Sequence, residues 1–361
     1  MAKKLMKGSE AIAEAAIRAG CRLFFGYPIT PQNEIPEYLS RRMPQVGGVF
    51  LQAESEVAAS NMLYGAAGTG NRVFTSSSSP GISLMQEAIS YMAAADLPVV
   101  LVNIVRAGPG LGGILPSQGD YFQSTKGGGH GDYRLLVLAP WSVQEASDLM
   151  QDAFDLADYY RTPVMLLGDG LIGQMMEPMS FDENRKPCKP LPEKTWAATG
   201  AVGRDPVVIN SLFLDPQLME THCQELMDKY ARIKRDEVRF TGVGLDGDYD
   251  ILLVAYGTVA RVCSNVIEDL AAEGIKVAML RPISLYPFPS RAIREAARKA
   301  KNVLVVELCG GQMIEDVQQA IRGERPIHFC NRMGGMLVSP EQVAEKVRLI
   351  LAGKSQEVCD D

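Results

Sequence analysis

Several short segments of this chain place chemically useful residues directly after or before runs of apolar residues. Gly26-Tyr27-Pro28-Ile29-Thr30-Pro31 sets a hydroxyl, Thr30, between two prolines. Fixed proline dihedrals hold such a hydroxyl in one direction, which suits a substrate contact. The same spacing suits a plain strand-to-helix turn, with Pro31 or Asn33 opening the helix. Gln52-Ala53-Glu54-Ser55-Glu56 puts an acid, Glu56, ahead of small residues including Ala58, Ala59, Ser60 and Gly65. Glu56 either compensates a helix dipole or is a buried acid aimed at a bound group. The small residues let another helix or chain approach closely. Residues 75–81, TSSSSPG, open a further helix with four serines where one cap would serve. Free N–H groups and hydroxyls at that terminus, Ser79 and Gly81 among them, suit an anion or a polar ring, and ordinary capping is the competing account.

Arg106-Ala107-Gly108-Pro109-Gly110-Leu111-Gly112-Gly113 contains G-x-G-x-x-G, but Pro116 and a polar loop follow where a helix should begin. Dinucleotide binding is therefore excluded on its own structural requirement. What survives is Arg106, a cation at a strand end beside glycines, fit for a carboxylate or for a surface ion pair. The run Gly127-Gly128-Gly129-His130-Gly131-Asp132 reads as a flexible flap. His130 is a candidate base, although a lone loop histidine seldom has that role.

The elements that must position these groups follow from periodicity. Helical and strand-like segments alternate from Ser9 to about residue 167: helices at 10–19, 34–42, 56–67, 82–95 and 143–159, and strands at 22–25, 49–51, 72–75, 99–105, 135–138 and 164–167. Buried apolar strands alternating with helices predict a doubly wound, mostly parallel α/β sheet. Pro178, Pro187, Pro190 and Pro192 break the pattern. Asp215-Pro216 then caps an amphipathic helix running to Ile233, with Leu218, Met219, His222, Leu226 and Tyr230 on one side. A second αβ series begins at Asp250. The expected division is an α/β domain over 1–177, a linker and connector helix over 178–247, and a smaller α/β domain over 248–361.

Composition narrows the function classes. The chain has 361 residues, 47% hydrophobic and 22% charged, a globular balance large enough for two cores. The formal net charge is -7, with no Lys/Arg stripe, so nucleic acid is not an expected partner. No run approaches the ~18 uncharged residues of a spanning helix. Neither membrane insertion nor export is indicated, and the expected location is the cytoplasm. Seven scattered cysteines form no C-x-x-C pair, so reduced thiols are expected rather than a metal or cluster site.

Together these segments resemble the subunit of 2-oxoacid:ferredoxin oxidoreductases that carries the pyrimidine-binding domain of a thiamin diphosphate enzyme. The resemblance covers nearly the whole chain. It rests on GYPITPQNEIPE at 26–37, AESEVAA at 53–59, TSSSSPGISLMQE at 75–87 and RAGPGLGGILPSQGDYFQ at 106–123. LRPISLYPFP at 280–289 is similar to the family's transketolase C-terminal-like domain. The resemblance implies that Thr30 and Arg106 contact the 2-oxoacid. It also implies that Glu56 hydrogen-bonds the aminopyrimidine, with Ser79 and Gly81 beside the cofactor. Gly168-Asp169-Gly170 matches the start of the motif that holds magnesium diphosphate, but the chain has no adjacent Asn pair to complete it. A tight post-strand turn is the better reading, and Mg²⁺ with the diphosphate is expected on a thiamin diphosphate-domain partner subunit.

The resemblance further implies iron-sulfur clusters on a ferredoxin-like partner subunit, a third gamma-type subunit, coenzyme A as co-substrate and ferredoxin as electron acceptor. The implied reaction is oxidative decarboxylation of a 2-oxoacid to acyl-CoA and CO₂. LPSQGDYFQ at 115–123 and GGGHGDYR at 127–134 are most similar to the branched-chain, 2-oxoisovalerate type, and residues 113–122 hold no Lys or Arg for a second carboxylate. The substrate expected is 3-methyl-2-oxobutanoate, with 2-oxoglutarate and pyruvate as alternatives. A transketolase-like carbon-transfer subunit and a non-catalytic structural subunit are the rival classes.

Overall fold

The computed structural model describes residues 3–358. Cys359 falls outside them. The chain opens with β1 (Lys4–Lys7), α1 (Gly8–Arg18), β2 (Leu23–Gly26), α2 (Glu34–Gln45), β3 (Val49–Gln52), α3 (Glu56–Gly68), β4 (Val73–Ser77) and α4 (Ser79–Ala94). It continues through β5 (Val100–Val105), α5 (Tyr121–Thr125), β6 (Leu136–Leu138), α6 (Val143–Tyr160), β7 (Val164–Asp169), α7 (Gly170–Gln174) and β8 (Met176–Met179). Then come α8 (Pro216–Asp236), β9 (Phe240–Val243), β10 (Tyr249–Val254), α9 (Gly257–Ala272), β11 (Val277–Pro282) and β12 (Ser284–Tyr286). The last elements are α10 (Ser290–Ala297), β13 (Ala300–Glu307), α11 (Met313–Ile321), β14 (Ile327–Asn331) and α12 (Pro340–Leu351).

Seven strands form the first sheet in the order β12-β6-β7-β5-β4-β2-β3, and five form the second in the order β14-β13-β10-β11-β9. All pairings in the first sheet are parallel except β12 on β6, and all in the second except β9 on β11. This is the expected α/β architecture. Its central strands are buried on both faces, which is why they read as continuous apolar runs. Alternation assigns the faces: Val100, Val102 and Ile104 join the core under α1, α2 and α6, while Leu101 and Val105 join the core under α3 and α4. The α3/α4 core is continuous with one face of the second sheet through Leu252, Val254, Leu280, Val303 and Val305.

Three features depart from the sequence expectation. Phe240–Val243, assigned to the connector, forms the antiparallel edge of the second sheet. β12, from the second half, completes the first sheet with Ser284 opposite Leu138. Each is three or four residues long, too short for a period-2 signal to stand out. The connector helix α8 buries Leu226, Lys229, Tyr230 and Ile233, but Leu218 and Met219 are exposed, so its first half is held through His222, whose ring meets the Ala94 carbonyl at 2.7 Å. Its cap is as expected, Asp215 accepting from the Gln217 N–H at 2.8 Å.

Candidate active site

Parallel strands bring β2, β4 and β5 to one carboxyl edge, where consecutive loops meet. The geometry there centres on Arg106, 7% exposed. Its Nη1 donates to the Thr30 carbonyl at 3.0 Å and its Nη2 to the Leu111 carbonyl at 3.1 Å. Its Nε is buried with no partner among the described residues. Ser79 Oγ accepts from the Arg106 backbone N–H at 3.1 Å and donates to its carbonyl at 3.3 Å, fixing the strand end against the start of α4. The Thr30 hydroxyl accepts from Asn33 Nδ2 at 3.3 Å. Beneath it the buried Gln32 takes the Ser76 hydroxyl at 2.5 Å. Thr30, Ser79 and Arg106 are thus brought together.

Glu56 is the first residue of α3, but it is not the cap. Ser55 accepts from the Ala58 N–H at 3.1 Å and fills that role. Glu56 is 6% exposed and makes no hydrogen bond or ion pair among the described residues. Its carboxyl lies against Gly81: a Cβ there would stand 2.6 Å from Glu56 Oε1 and 2.1 Å from Ser77 Oγ. Gly81 is therefore glycine because the acid and the hydroxyl share its space. The Ser77 and Ser78 hydroxyls are buried without partners among the described residues, as are Thr75 Oγ1 and Asn103 Oδ1. Of the four serines, Ser76 and Ser79 are engaged by other described residues and Ser77 and Ser78 are not. Orphan hydroxyls beside an unpaired buried acid are costly unless another group meets them. The donor and acceptor set fits a polar aromatic ring such as an aminopyrimidine.

Sequence reasoning missed Asn103 and Asp120. Asn103 Nδ2 donates to Asp120 Oδ2 at 2.9 Å. Burial pushes the Asp120 carboxyl up, opposed by hydrogen bonds from Ser79 and Asn103 and by the charge of Arg106. Asp120 lines a cleft of about 300 Å³ with Pro109, Ser117, Cys309, Gln312 and Met333, so the second half contributes one wall. A lone Asp opening a five-residue helix left no spacing signal. The loop carrying it is bound to the second half. Gln118 Nε2 donates to the Tyr256 carbonyl at 3.0 Å, its Oε1 accepts from Leu308 N–H at 2.9 Å, and Gln312 spans Gly119 and Phe122.

The Gly-rich run at 127–132 is held rather than hanging free. Gln86 Oε1 accepts from Gly128 N–H at 3.2 Å, and Ser90 Oγ donates to the His130 carbonyl at 2.7 Å. The His130 ring is exposed and meets Tyr91 edge-on, with no hydrogen bond among the described residues. Asp169 sits in a tight turn. It caps α7 through Leu171 and Ile172 N–H groups at 3.0 and 3.2 Å, and it takes the Thr258 hydroxyl at 2.5 Å. Complete burial raises its pKa against those hydrogen bonds. Asp152, Asp155 and Cys188 have ligand-like spacing. Their carboxylates are already neutralised by Arg72, Arg185 and Arg239. No helix among the described residues is long and apolar enough to cross a membrane.

Comparisons with known proteins bear on this arrangement. Residues 14–235 match the family described as "Pyruvate flavodoxin/ferredoxin oxidoreductase, thiamine diP-bdg", and residues 249–343 match "Pyruvate:ferredoxin oxidoreductase core domain II". The chain is 50% identical to the ketoisovalerate oxidoreductase subunit VorB of Methanothermobacter thermautotrophicus, over 99% of this chain and 100% of that one. It is 34% identical to the 2-oxoglutarate synthase subunit KorA of Methanocaldococcus jannaschii, over 96% and 100%. Among solved structures, 2-oxoglutarate:ferredoxin oxidoreductase from Magnetococcus marinus, with 2-oxoglutarate, coenzyme A and succinyl-CoA bound, matches with a TM-score of 0.84 and 25% identity. This chain is covered to 96%, and spans 65% of that one. An inactive split-gene transketolase matches at a TM-score of 0.56 and 13% identity, a likeness of fold alone. The relatives are named as subunits, so partner chains are part of the enzyme's organisation. Family model, near full-length identity and the geometry of the carboxyl edge agree: the chain belongs to the 2-oxoacid:ferredoxin oxidoreductases, as a subunit with their thiamine diphosphate-binding domain.

Proposed function

We propose that this chain supplies the 2-oxoacid and aminopyrimidine contacts of a multi-subunit enzyme that converts 3-methyl-2-oxobutanoate and coenzyme A to acyl-CoA and CO₂. Two electrons leave singly for ferredoxin. The observation that carries the reading is Arg106. Its buried guanidinium is held by two carbonyls with its Nε unmet, beside Thr30, and its backbone bonds Ser79, two residues before the Gly81 against which Glu56 and Ser77 pack.

Arg106 binds the substrate carboxylate, since a desolvated guanidinium pairs strongly with a carboxylate. Thr30 orients the substrate with its hydroxyl. Glu56 turns its carboxyl toward the aminopyrimidine as a hydrogen-bond partner, and Ser79 and Gly81 shape the floor beneath that ring. When bound, thiamin diphosphate supplies the thiazolium carbon on which decarboxylation depends. The diphosphate with Mg²⁺ belongs to a partner subunit, because Asp169 is committed to α7 and Thr258. Iron-sulfur clusters belong to a ferredoxin-like subunit, and a gamma-type chain completes the assembly in the cytoplasm. We assign residues 1–177 to the pyrimidine-binding-type domain and 248–361 to the transketolase C-terminal-like domain, joined by 178–247.

The branched-chain preference rests on the 50% identity to a ketoisovalerate oxidoreductase subunit against 34% to a 2-oxoglutarate synthase subunit, and on the absence of Lys and Arg from 113–122. The test is reconstitution with the partner subunits and CoA-dependent ferredoxin reduction by 3-methyl-2-oxobutanoate, 2-oxoglutarate and pyruvate. The highest kcat/KM should fall on the branched acid. A preference for 2-oxoglutarate overturns the substrate assignment, and no ferredoxin reduction with any of the three overturns the function.

A further inference from the structure

The loop that leaves Arg106 turns back on it and then crosses to the second half. Pro116 bridges Arg106 in an isolated antiparallel pair, and the Ala107 N–H donates to the Leu115 carbonyl at 2.9 Å. Asp120 follows, at the cap position of the short helix α5. A capping aspartate would accept a backbone N–H of its own helix. Asp120 accepts none there, and takes Asn103 Nδ2 of β5 at 2.9 Å instead. The Ser79 hydroxyl, which bonds both backbone groups of Arg106, stands beside the same carboxyl, and the Arg106 charge acts on it.

The second half fixes where this carboxyl stands. Gln312 opens α11, and its side chain spans the turn on both sides of Asp120: Oε1 accepts from the Phe122 N–H at 2.8 Å and Nε2 donates to the Gly119 carbonyl at 2.7 Å. Gln312 is itself anchored. The buried Glu307, at the end of β13, accepts from the N–H groups of Gln312, Met313 and Ile314 at 3.2, 3.0 and 2.9 Å. Just before the turn, the Gln118 N–H donates to the Leu308 carbonyl at 3.0 Å, and Gln118 Oε1 accepts from the Leu308 N–H at 2.9 Å.

We propose that Asp120 is a positioning residue for Arg106, and that Gln312 in the second half sets the affinity for the 2-oxoacid through it without touching the substrate. The inference rests on the assignment of Arg106 to the substrate carboxylate. Gln312 fixes the turn, the turn holds Asp120 against Asn103 and Ser79, and Ser79 fixes the strand end from which the guanidinium extends. A shift of about 1 Å at such a group can cost as much as ~10²-fold.

The test is steady-state kinetics of the reconstituted enzyme with 3-methyl-2-oxobutanoate, read beside the melting temperature of the complex. Asp120→Ala and Gln312→Ala should each raise KM for the 2-oxoacid about ten-fold with kcat little changed, the pattern of lost substrate binding. Asp120→Asn keeps an acceptor for Asn103 and should recover most of the KM. A role in packing alone gives a lowered melting temperature with KM at the wild-type value, and that result in Gln312→Ala overturns the proposal. Gln312 is half-buried, so its variant decides the matter even where Asp120→Ala does not assemble. Arg106→Ala separates this inference from the reading beneath it. A wild-type KM there withdraws the Arg106 assignment, whereas lost substrate use there beside an unchanged KM in Gln312→Ala overturns only the positioning role.

Discussion

Arg106 holds two backbone carbonyls and leaves one N–H unmet in a buried setting, an arrangement with little value to a scaffold. Arg106→Ala should reduce kcat/KM for the 2-oxoacid in the assembled enzyme by about 2 to 5 kcal/mol, the range for truncating one partner of a desolvated charge pair. Arg106→Lys should recover only part, because an ammonium cannot span Thr30, Leu111 and a carboxylate together. Unchanged kinetics in both variants would remove Arg106 from the site. At Glu56, helix capping and proton chemistry predict different results. The cap is already Ser55, so a charge effect at α3 should cost only about 0.3 to 1 kcal/mol of stability and leave turnover intact. A carboxyl that exchanges a proton with the aminopyrimidine should show instead a ~10²- to 10⁴-fold loss in Glu56→Gln, with assembly preserved. The rate of deuterium exchange at the thiazolium carbon of bound cofactor, read beside the melting temperature, decides between them. Normal exchange with a lowered melting temperature would withdraw the assignment.

At the scale of elements, the opening of α4 shows how one small residue sets a site. Gly→Ala inside a helix is ordinarily worth roughly 0.5 to 1 kcal/mol in favour of alanine. At Gly81 the added Cβ would meet Ser77 Oγ at 2.1 Å and Glu56 Oε1 at 2.6 Å. Gly81→Ala should therefore destabilise the chain, by about 1 to 3 kcal/mol as for other overpacked positions, and displace the Glu56 carboxyl. Adding Ser77→Ala should restore part of the melting temperature, since it removes the nearer clash. A single variant as stable as the wild type would show that this turn yields freely. TSSSSPG was legible as an unusual helix start because four serines exceed the needs of a cap. Which serines are left unmet depends on Gln32 and the Arg106 backbone reaching across from other strands.

Across the whole molecule, the two sheets are bound by polar contacts as well as by the shared core. Arg281, 2% exposed, pairs its two terminal guanidinium nitrogens with Glu145 at 2.7 and 2.8 Å and stacks over Trp141 at 4.4 Å. Removing the acid alone leaves a buried cation, so Glu145→Ala should lower stability by about 3 to 5 kcal/mol. Combining it with Arg281→Met should recover much of that loss, because the uncompensated charge is gone. Thermal unfolding of the two variants measures the difference, and equal melting temperatures would show that the pair does not hold a buried charge in place.

The sequence by itself determined the α/β class, the mostly parallel character of the sheet and the identity of Thr30, Glu56 and Arg106 as candidates. Apolar periodicity, caps and the rule that parallel sheets gather loops at one edge are local properties, and each is written in consecutive residues. Tertiary structure alone decided that Asp120 and Asn103 stand behind Arg106, that Cys309 and Gln312 wall the cleft and that β12 crosses to the first sheet. Those contacts join residues as far apart as 193 positions, as between Gly119 and Gln312. No periodicity encodes them, because they depend on how two sheets, each satisfied locally, bury the apolar faces left over between them.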